Sequence, residues 1–194
     1  MGDLLLARHG ETEWSRDGRH TGRTDLPLTP RGEDQARSLA PLLTNLTFAL
    51  VLTSPLLRAR RTAELAGLTA AEPEPALREW DYGAYEGITT AEIRRTRPDW
   101  NLWTDGVPPG REFPGESPAE VGERADRVLS RVAGALTKGN VMLVAHGHLL
   151  RVLTARRLGL PPSTGRLFRL ETGTLSRLSL EHNTPVIAEW NTRP

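Results

Sequence analysis

Three uninterrupted apolar stretches mark the chain, and each runs through a short polar turn into a helical pattern. Leu4-Leu5-Leu6-Ala7 leads into Arg8-His9-Gly10-Glu11, and Ala49-Leu50-Val51-Leu52 leads into Thr53-Ser54-Pro55 and a helix carrying Arg58. Val141-Met142-Leu143-Val144-Ala145 leads into His146-Gly147-His148 and then Leu149-Leu150-Arg151-Val152-Leu153. Strands that are apolar on both faces and alternate with helices predict a mostly parallel sheet covered on both sides, a three-layer α/β/α sandwich.

Helix starts are legible as well. Thr29-Pro30 reads as an N-cap with proline in the first turn, and Ala36, Leu39, Ala40 and Leu43 follow on one helical face. Ser54-Pro55 has the same form. Ser117-Pro118-Ala119-Glu120 is a capping box, backed by the stripe Val121, Ala125, Val128, Leu129, Val132, Leu136. Residues 165–190 read as short β segments broken at Glu171-Thr172-Gly173 and at His182-Asn183-Thr184-Pro185. Residues 88–117 hold Trp100 and Trp103 but little periodicity, and are expected to be an insertion, or lid, over one end of the sheet. The whole of 1–194 is expected to form one domain.

The composition narrows the function classes. The chain has 194 residues, 38% of them hydrophobic, and no cysteine, which excludes a disulfide framework, a thiol nucleophile and a thiolate zinc site. Its longest apolar run is far short of the ~18 residues a membrane span needs, so a cytoplasmic protein without a membrane partner is expected. Lys138 is the one lysine among 25 basic residues, but the arginines sit among 24 acids and the net charge is +1. That balance argues against nucleic acid as a partner.

Ligands of open parallel sheets bind beyond the carboxyl ends of the strands. The three strand–turn–helix units deliver Arg8 with His9, Arg58, and His146 to that end, each with a helix N-terminus that favours anions. Two arginines, two histidines and helix N-termini at one point describe a phosphoryl site, since an arginine fork bonds two phosphate oxygens at once. His146 and His148 also form an H-x-H, but no further metal ligand accompanies them. No GxxxxGK[ST] loop and no GxSxG elbow is present. A leaving oxygen needs a proton donor, and Glu11, Asp25, Glu79, Asp81 and Glu86 are the candidates, with Glu79, Asp81 and Glu86 in an aromatic and glycine-rich cluster at 77–87.

Arg8-His9-Gly10-Glu11-Thr12, Thr21-Gly22, the run from Ser54 to Thr62 through Arg58, Arg78-Glu79 before Tyr82-Gly83, and Ala145-His146-Gly147 together resemble the histidine phosphatase superfamily, the phosphoglycerate mutase-like proteins. Glu13-Trp14-Ser15, the run 24–30, the cluster 80–87, Trp100-Asn101-Leu102-Trp103 and His146-Gly147-His148 resemble its sedoheptulose-1,7-bisphosphatase-like branch. The resemblance implies His9 as nucleophile and phosphohistidine, Glu79 as proton donor, and Arg8, Arg58 and His146 as the phosphate clamp. Ser15, Thr21, Gly22, Gly147 and His148 would border the substrate, and Tyr82 would lie near a sugar. No metal or cofactor is implied. Ser15 and His148 stand where most mutases carry asparagine, and His20 stands where the bisphosphatase has tyrosine.

The expected activity is therefore metal-independent hydrolysis of small sugar-phosphate monoesters, ketose 1-phosphates among them. A phosphoglycerate mutase-type isomerase and a non-catalytic phosphate-binding scaffold are the alternatives. A small phosphorylated metabolite is the expected partner, with a homodimer allowed. Trp100, Trp103, Tyr82 and Tyr85 are expected to wall the sugar.

Overall fold

The apolar runs become the centre of a six-stranded sheet. The computed structural model describes residues 1–193. Its elements are β1 (Leu4–Arg8), α1 (Glu13–Asp17), α2 (Pro30–Ser38), α3 (Ala40–Leu43), β2 (Phe48–Thr53), α4 (Leu57–Leu65) and β3 (Glu72–Pro73). There follow α5 (Thr90–Arg94), α6 (Leu102–Asp105), α7 (Pro118–Leu136), β4 (Asn140–Ala145), α8 (Gly147–Arg157), β5 (Leu175–Glu181) and β6 (Thr184–Thr192).

The strand order is β3-β2-β4-β1-β5-β6. The first four are parallel, and β5 and β6 add an antiparallel edge. Alternate strand residues feed two separate cores. Leu4, Leu6, Val141, Leu143 and Leu52 face α7 and α8, while Leu5, Ala7, Met142 and Val144 face α2, α3 and α4 through Leu39, Leu43, Ala59 and Ala63. Both faces of the central strands β1 and β4 are thus dry, which is why they carry no polar alternation.

Three local expectations are corrected. The helix after Thr29 breaks at Leu39 because Pro41 cannot donate to Arg37, yet Ala36, Leu39 and Leu43 still share one buried face. Ser54-Pro55 does not start α4, which begins at Leu57, whose N–H is taken by Asp25 Oδ1 at 2.7 Å. The tail forms two long strands, not short segments: His182 and Asn183, at φ 48° and 65°, make the tight turn that right-twisted strands accept. Pro185 is tolerated because β6 is the outermost strand.

Residues 88–117 hold α5 and α6 and are anchored by Ile93, Trp100, Leu102 and Trp103, all buried in the α7–α8 core. The capping box of Ser117 and Glu120 starts α7 as its sequence indicates. No helix among the described residues is long and apolar enough to cross a membrane.

Candidate active site

β4 lies between β1 and β2, with Arg8 opposite Ala145 and Thr53 opposite Val144. The next residues, His9, His146 and Ser54, therefore emerge side by side at the carboxyl end of the sheet. Backbone bonds from His9 N–H to Ala145 (3.0 Å) and from Ser54 N–H to Val144 (2.9 Å) extend the pairing one residue further. Gly10 is needed behind His9, since a Cβ there would collide with the Gly32 carbonyl at the start of α2.

His9 Nδ1 lies 2.7 Å from the Gly10 carbonyl oxygen. A carbonyl only accepts, so Nδ1 carries the proton and Nε2 keeps its lone pair. Burial, then the charges of Arg58 and Arg8, hold the His9 pKa well below its usual 6.5. The ring is neutral across the physiological range.

His146 is 5.1 Å from His9, centroid to centroid, and fully buried. Its Nδ1 accepts from Arg58 Nε at 3.2 Å and its Nε2 donates to Ser54 Oγ at 2.7 Å. Burial and Arg58 keep it neutral, its pKa well below 6.5. Arg58, also fully buried, spends three of its four other N–H groups on the carbonyls of Thr21 (3.1 Å), Gly22 (3.1 Å) and Thr24 (2.9 Å). Arg8 bonds the Leu170 carbonyl through Nη1 at 2.5 Å, and its buried Nε has no partner among the described residues. A Cβ on Gly147 would stand 3.1 Å from Arg8 Cζ, so glycine lets this guanidinium lie against the start of α8.

Glu79 closes the opposite wall. Its Oε1 accepts from Leu149 N–H (2.8 Å) and Trp80 N–H (2.9 Å), and its Oε2 from His148 N–H (2.9 Å). The free amides of α8, expected to greet an anionic ligand, are in part occupied by this carboxylate, as Asp25 occupies that of α4. Oε2, with one amide bond against two on Oε1, is the oxygen with room for a proton. The rivals are engaged elsewhere: Asp81 pairs with Arg23 and the Gly83 and Gly115 amides, and Glu86 with the Gly22 and Thr24 amides. Tyr82 donates to His148 Nδ1 at 2.5 Å, burial and Glu79 holding its phenol well above pKa 10.

In front of His9 opens a pocket of about 230 Å³. It gathers the expected Arg8, His9, Ser15, Thr21, Glu79, Tyr82, Gly147 and His148. Arg58, His146 and Gly22 do not line it: the buried His146 packs edge-on to the His9 ring, Arg58 bonds His146, and Gly22 is packed under Trp80 and Glu86. Ser15 spends its hydroxyl on Thr12, donating to the carbonyl at 3.0 Å and accepting from the N–H at 2.8 Å. Gly18, Arg19, His20, Thr90, Arg151 and Leu170 complete the lining without having been in the expected set. Arg151 had a signal, since it lies one helical turn beyond Gly147 on α8; Arg19, in the turn after α1, and Thr90, at the start of α5, had none.

The tryptophan wall is a correction. Trp100 and Trp103 are largely core residues and line not this pocket but an adjoining cavity, which shares His20, Thr90 and His148 with it. The rings of His146 and His148 are directed to different partners, so they do not act as an H-x-H pair.

The profile of the Histidine phosphatase superfamily (branch 1) matches residues 4–193. An acid phosphatase of Mycobacterium tuberculosis is 42% identical over 187 residues, covering 95% of this chain and 90% of the relative. Sedoheptulose 1,7-bisphosphatase of Saccharomyces cerevisiae is 36% identical, covering 80% and 67%. A probable phosphoglycerate mutase GpmB of Photorhabdus laumondii is 35% identical, covering 98% and 90%. The solved structure of Rv3214 from Mycobacterium tuberculosis superposes with a TM-score of 0.93 at 41% identity, covering 99% of this chain and 98% of that one. Sheet, pocket and comparisons agree: the chain belongs to branch 1 of the histidine phosphatase superfamily.

Proposed function

We propose that this protein is a metal-independent phosphoric monoester hydrolase, of the histidine acid phosphatase type, acting on small sugar phosphates through a phosphohistidine at His9. The observation that carries the reading is the tautomer of His9: Nδ1–H is spent on the Gly10 carbonyl, which leaves a bare Nε2 in a pocket with Arg8. Nε2 attacks phosphorus, the P–O bond to the sugar breaks, and the leaving oxygen takes a proton from Glu79. Water then attacks the phosphohistidine, giving its proton to Glu79 as the P–N bond breaks. Arg8 from the wall and the buried Arg58 stabilise the charge on the equatorial oxygens. Phosphatases among the relatives support the reaction class, and a pocket of about 230 Å³ suits a small metabolite. Because the His9 pKa lies well below 6.5, the nucleophile stays neutral under mildly acidic conditions.

The test is a rapid quench with phosphate-labelled substrate. Acid-labile, base-stable label is expected on the protein and absent from His9→Ala, with turnover surviving exhaustive chelation. Equal label in the variant, or activity lost with EDTA and restored by zinc, would overturn the reading. Incubation with 3-phosphoglycerate followed by phosphorus NMR separates the isomerase: rapid 2-phosphoglycerate without free phosphate would replace hydrolysis by mutase chemistry.

A further inference from the structure

The segment that carries Glu79 has a second side. There lies a cavity of about 330 Å³ that shares no residue with the pocket in front of His9. Arg124 and Arg127 reach it from α7, Glu74 and Arg78 from the 74–78 segment, and Arg23 from the 21–24 loop. Arg78 has an extended backbone, φ −57° and ψ 154°, and neighbours on such a chain point to opposite sides. Glu79 therefore faces His9 while Arg78 faces this cavity.

The charges around it do not balance. Arg23 is set against Asp81, Nε to Oδ2 at 3.2 Å, Arg124 against Glu116, Nη2 to Oε2 at 2.7 Å, and Glu74 against Arg131. Two positive charges are left over, Arg78 and Arg127. Among the described residues neither side chain forms a hydrogen bond or an ion pair, in contrast with Arg61, Arg156 and Arg177. Arg23 uses only its Nε, so its two Nη groups are free as well. The surplus is local, since the whole chain carries a net charge of +1.

Three guanidinium forks with unspent donors, converging on one concave surface, suit a ligand with several anionic oxygens, because each fork can bond two of them at once. The cavity offers no nucleophile. Its one carboxylate, Glu74, is engaged by Arg131 and by the Ala76 N–H at 2.9 Å. A ligand here is held and not turned over.

We propose that this cavity is a binding site for a small molecule carrying two phosphate groups, bridged between Arg23 on one wall and Arg78 with Arg127 on the other. The site is separate from the reaction at His9 and does not depend on it. Its ligand would join two segments that position catalytic groups. One is the 21–24 loop, whose carbonyls hold Arg58, and the other is the 76–79 stretch, whose carbonyls are held by Arg124.

Calorimetric titration of His9→Ala protein with pyrophosphate at low salt tests the site without turnover through that histidine. Two equivalents are expected to bind, one in front of position 9 and one in the arginine cavity. Arg8→Gln in the same background should weaken the first and spare the second. Arg127→Gln and Arg78→Gln should each do the reverse, weakening the second by about tenfold or more. Arg127 makes no bond within the protein, so Arg127→Gln in otherwise wild-type protein should keep Tm and turnover unchanged, which separates lost binding from lost folding. Arg60→Gln, at an exposed arginine of α4, is the control for diffuse attraction and should leave both equivalents intact. A single equivalent, a second equivalent that survives both Arg78→Gln and Arg127→Gln, or equal weakening by Arg60→Gln would overturn the site.

Discussion

Arg124→Met should be one of the most damaging substitutions that leave the pocket lining intact. Arg124 projects from α7 and is 8% exposed. All five of its N–H groups are used: Nε and Nη2 grip Glu116 at 2.9 and 2.7 Å, Nη1 bonds the carbonyls of Ala76 (2.9 Å) and Arg78 (2.5 Å), and Nη2 also bonds that of Glu79 (3.2 Å). Glu116 in turn receives the Asp81 N–H at 2.8 Å, and its carbonyl receives Trp80 Nε1 at 2.8 Å. One guanidinium thus ties the segment bearing Glu79 to the residues before α7. Methionine keeps much of the volume but strands three carbonyls and a carboxylate whose side chain is only 15% exposed. Breaking a buried pair by removing one partner costs about 3–5 kcal/mol. For a chain of this size that lowers Tm by roughly 6–20 °C. Turnover should fall as well, by up to about 100-fold, because misplacing a catalytic group by an ångström has that scale. Melting curves and kcat for Arg124→Met, Glu116→Leu and the double variant are the assay. The double variant should be more stable than the sum of the singles, since removing both charges leaves no buried ion. A loss under about 1 kcal/mol in Arg124→Met, or strict additivity in the cycle, would refute the reasoning.

Glu79→Gln should lose about 1–3 kcal/mol, because its amide would face an N–H of α8 or Trp80, and kcat should fall by roughly 10²–10⁴; a fall under tenfold would shift the acid to another carboxylate. Stability should decline with acid: His9, His20, His146 and His148 all have folded pKa values below 6.5, so the unfolded chain gains protons first as pH drops. The stability they contribute is full above pH 6.5 and is lost toward the folded pKa, about 3 kcal/mol for His20 alone between pH 6.5 and about 4. Melts from pH 7 to 4.5 check this, with a shallower decline in His20→Phe, and a flat profile would contradict neutral burial. Gly147→Ala places a Cβ 3.1 Å from Arg8 Cζ and should reduce kcat/KM by about 10–100-fold with little change in Tm; unchanged kinetics would mean that Arg8 does not touch the substrate.

The parallel core was legible because its strands are buried on both faces, which writes continuous apolar runs into the sequence, and because proline and capping residues mark α2 and α7 directly. Arg8, His9, His146 and Arg58 were legible as a group because each follows such a run. Their division of labour was not. Whether an arginine at that position faces the pocket, as Arg8 does, or bonds His146, as Arg58 does, depends on carbonyls supplied by the 21–24 loop. Trp103 looks the same in the sequence whether it walls a sugar or packs against the Arg151 guanidinium.

What the sequence determined by itself was therefore what local periodicity sets: the parallel strands β1, β2 and β4, the starts of α2, α7 and α8, and the turn on which each candidate residue sits. Tertiary structure alone decided which polar groups meet. The Arg124–Glu116 pair is only eight residues apart but gains its meaning from carbonyls at 76–79, nearly fifty residues away. The Glu79 carboxylate finds its amides about seventy residues on, and the Arg19 and Arg151 walls come from opposite parts of the chain. Hydrophobic burial is non-directional and repeats with the secondary structure, so it can be read along a chain. Hydrogen bonds and charges are directional and close contacts between distant segments, so they exist only once the chain has folded.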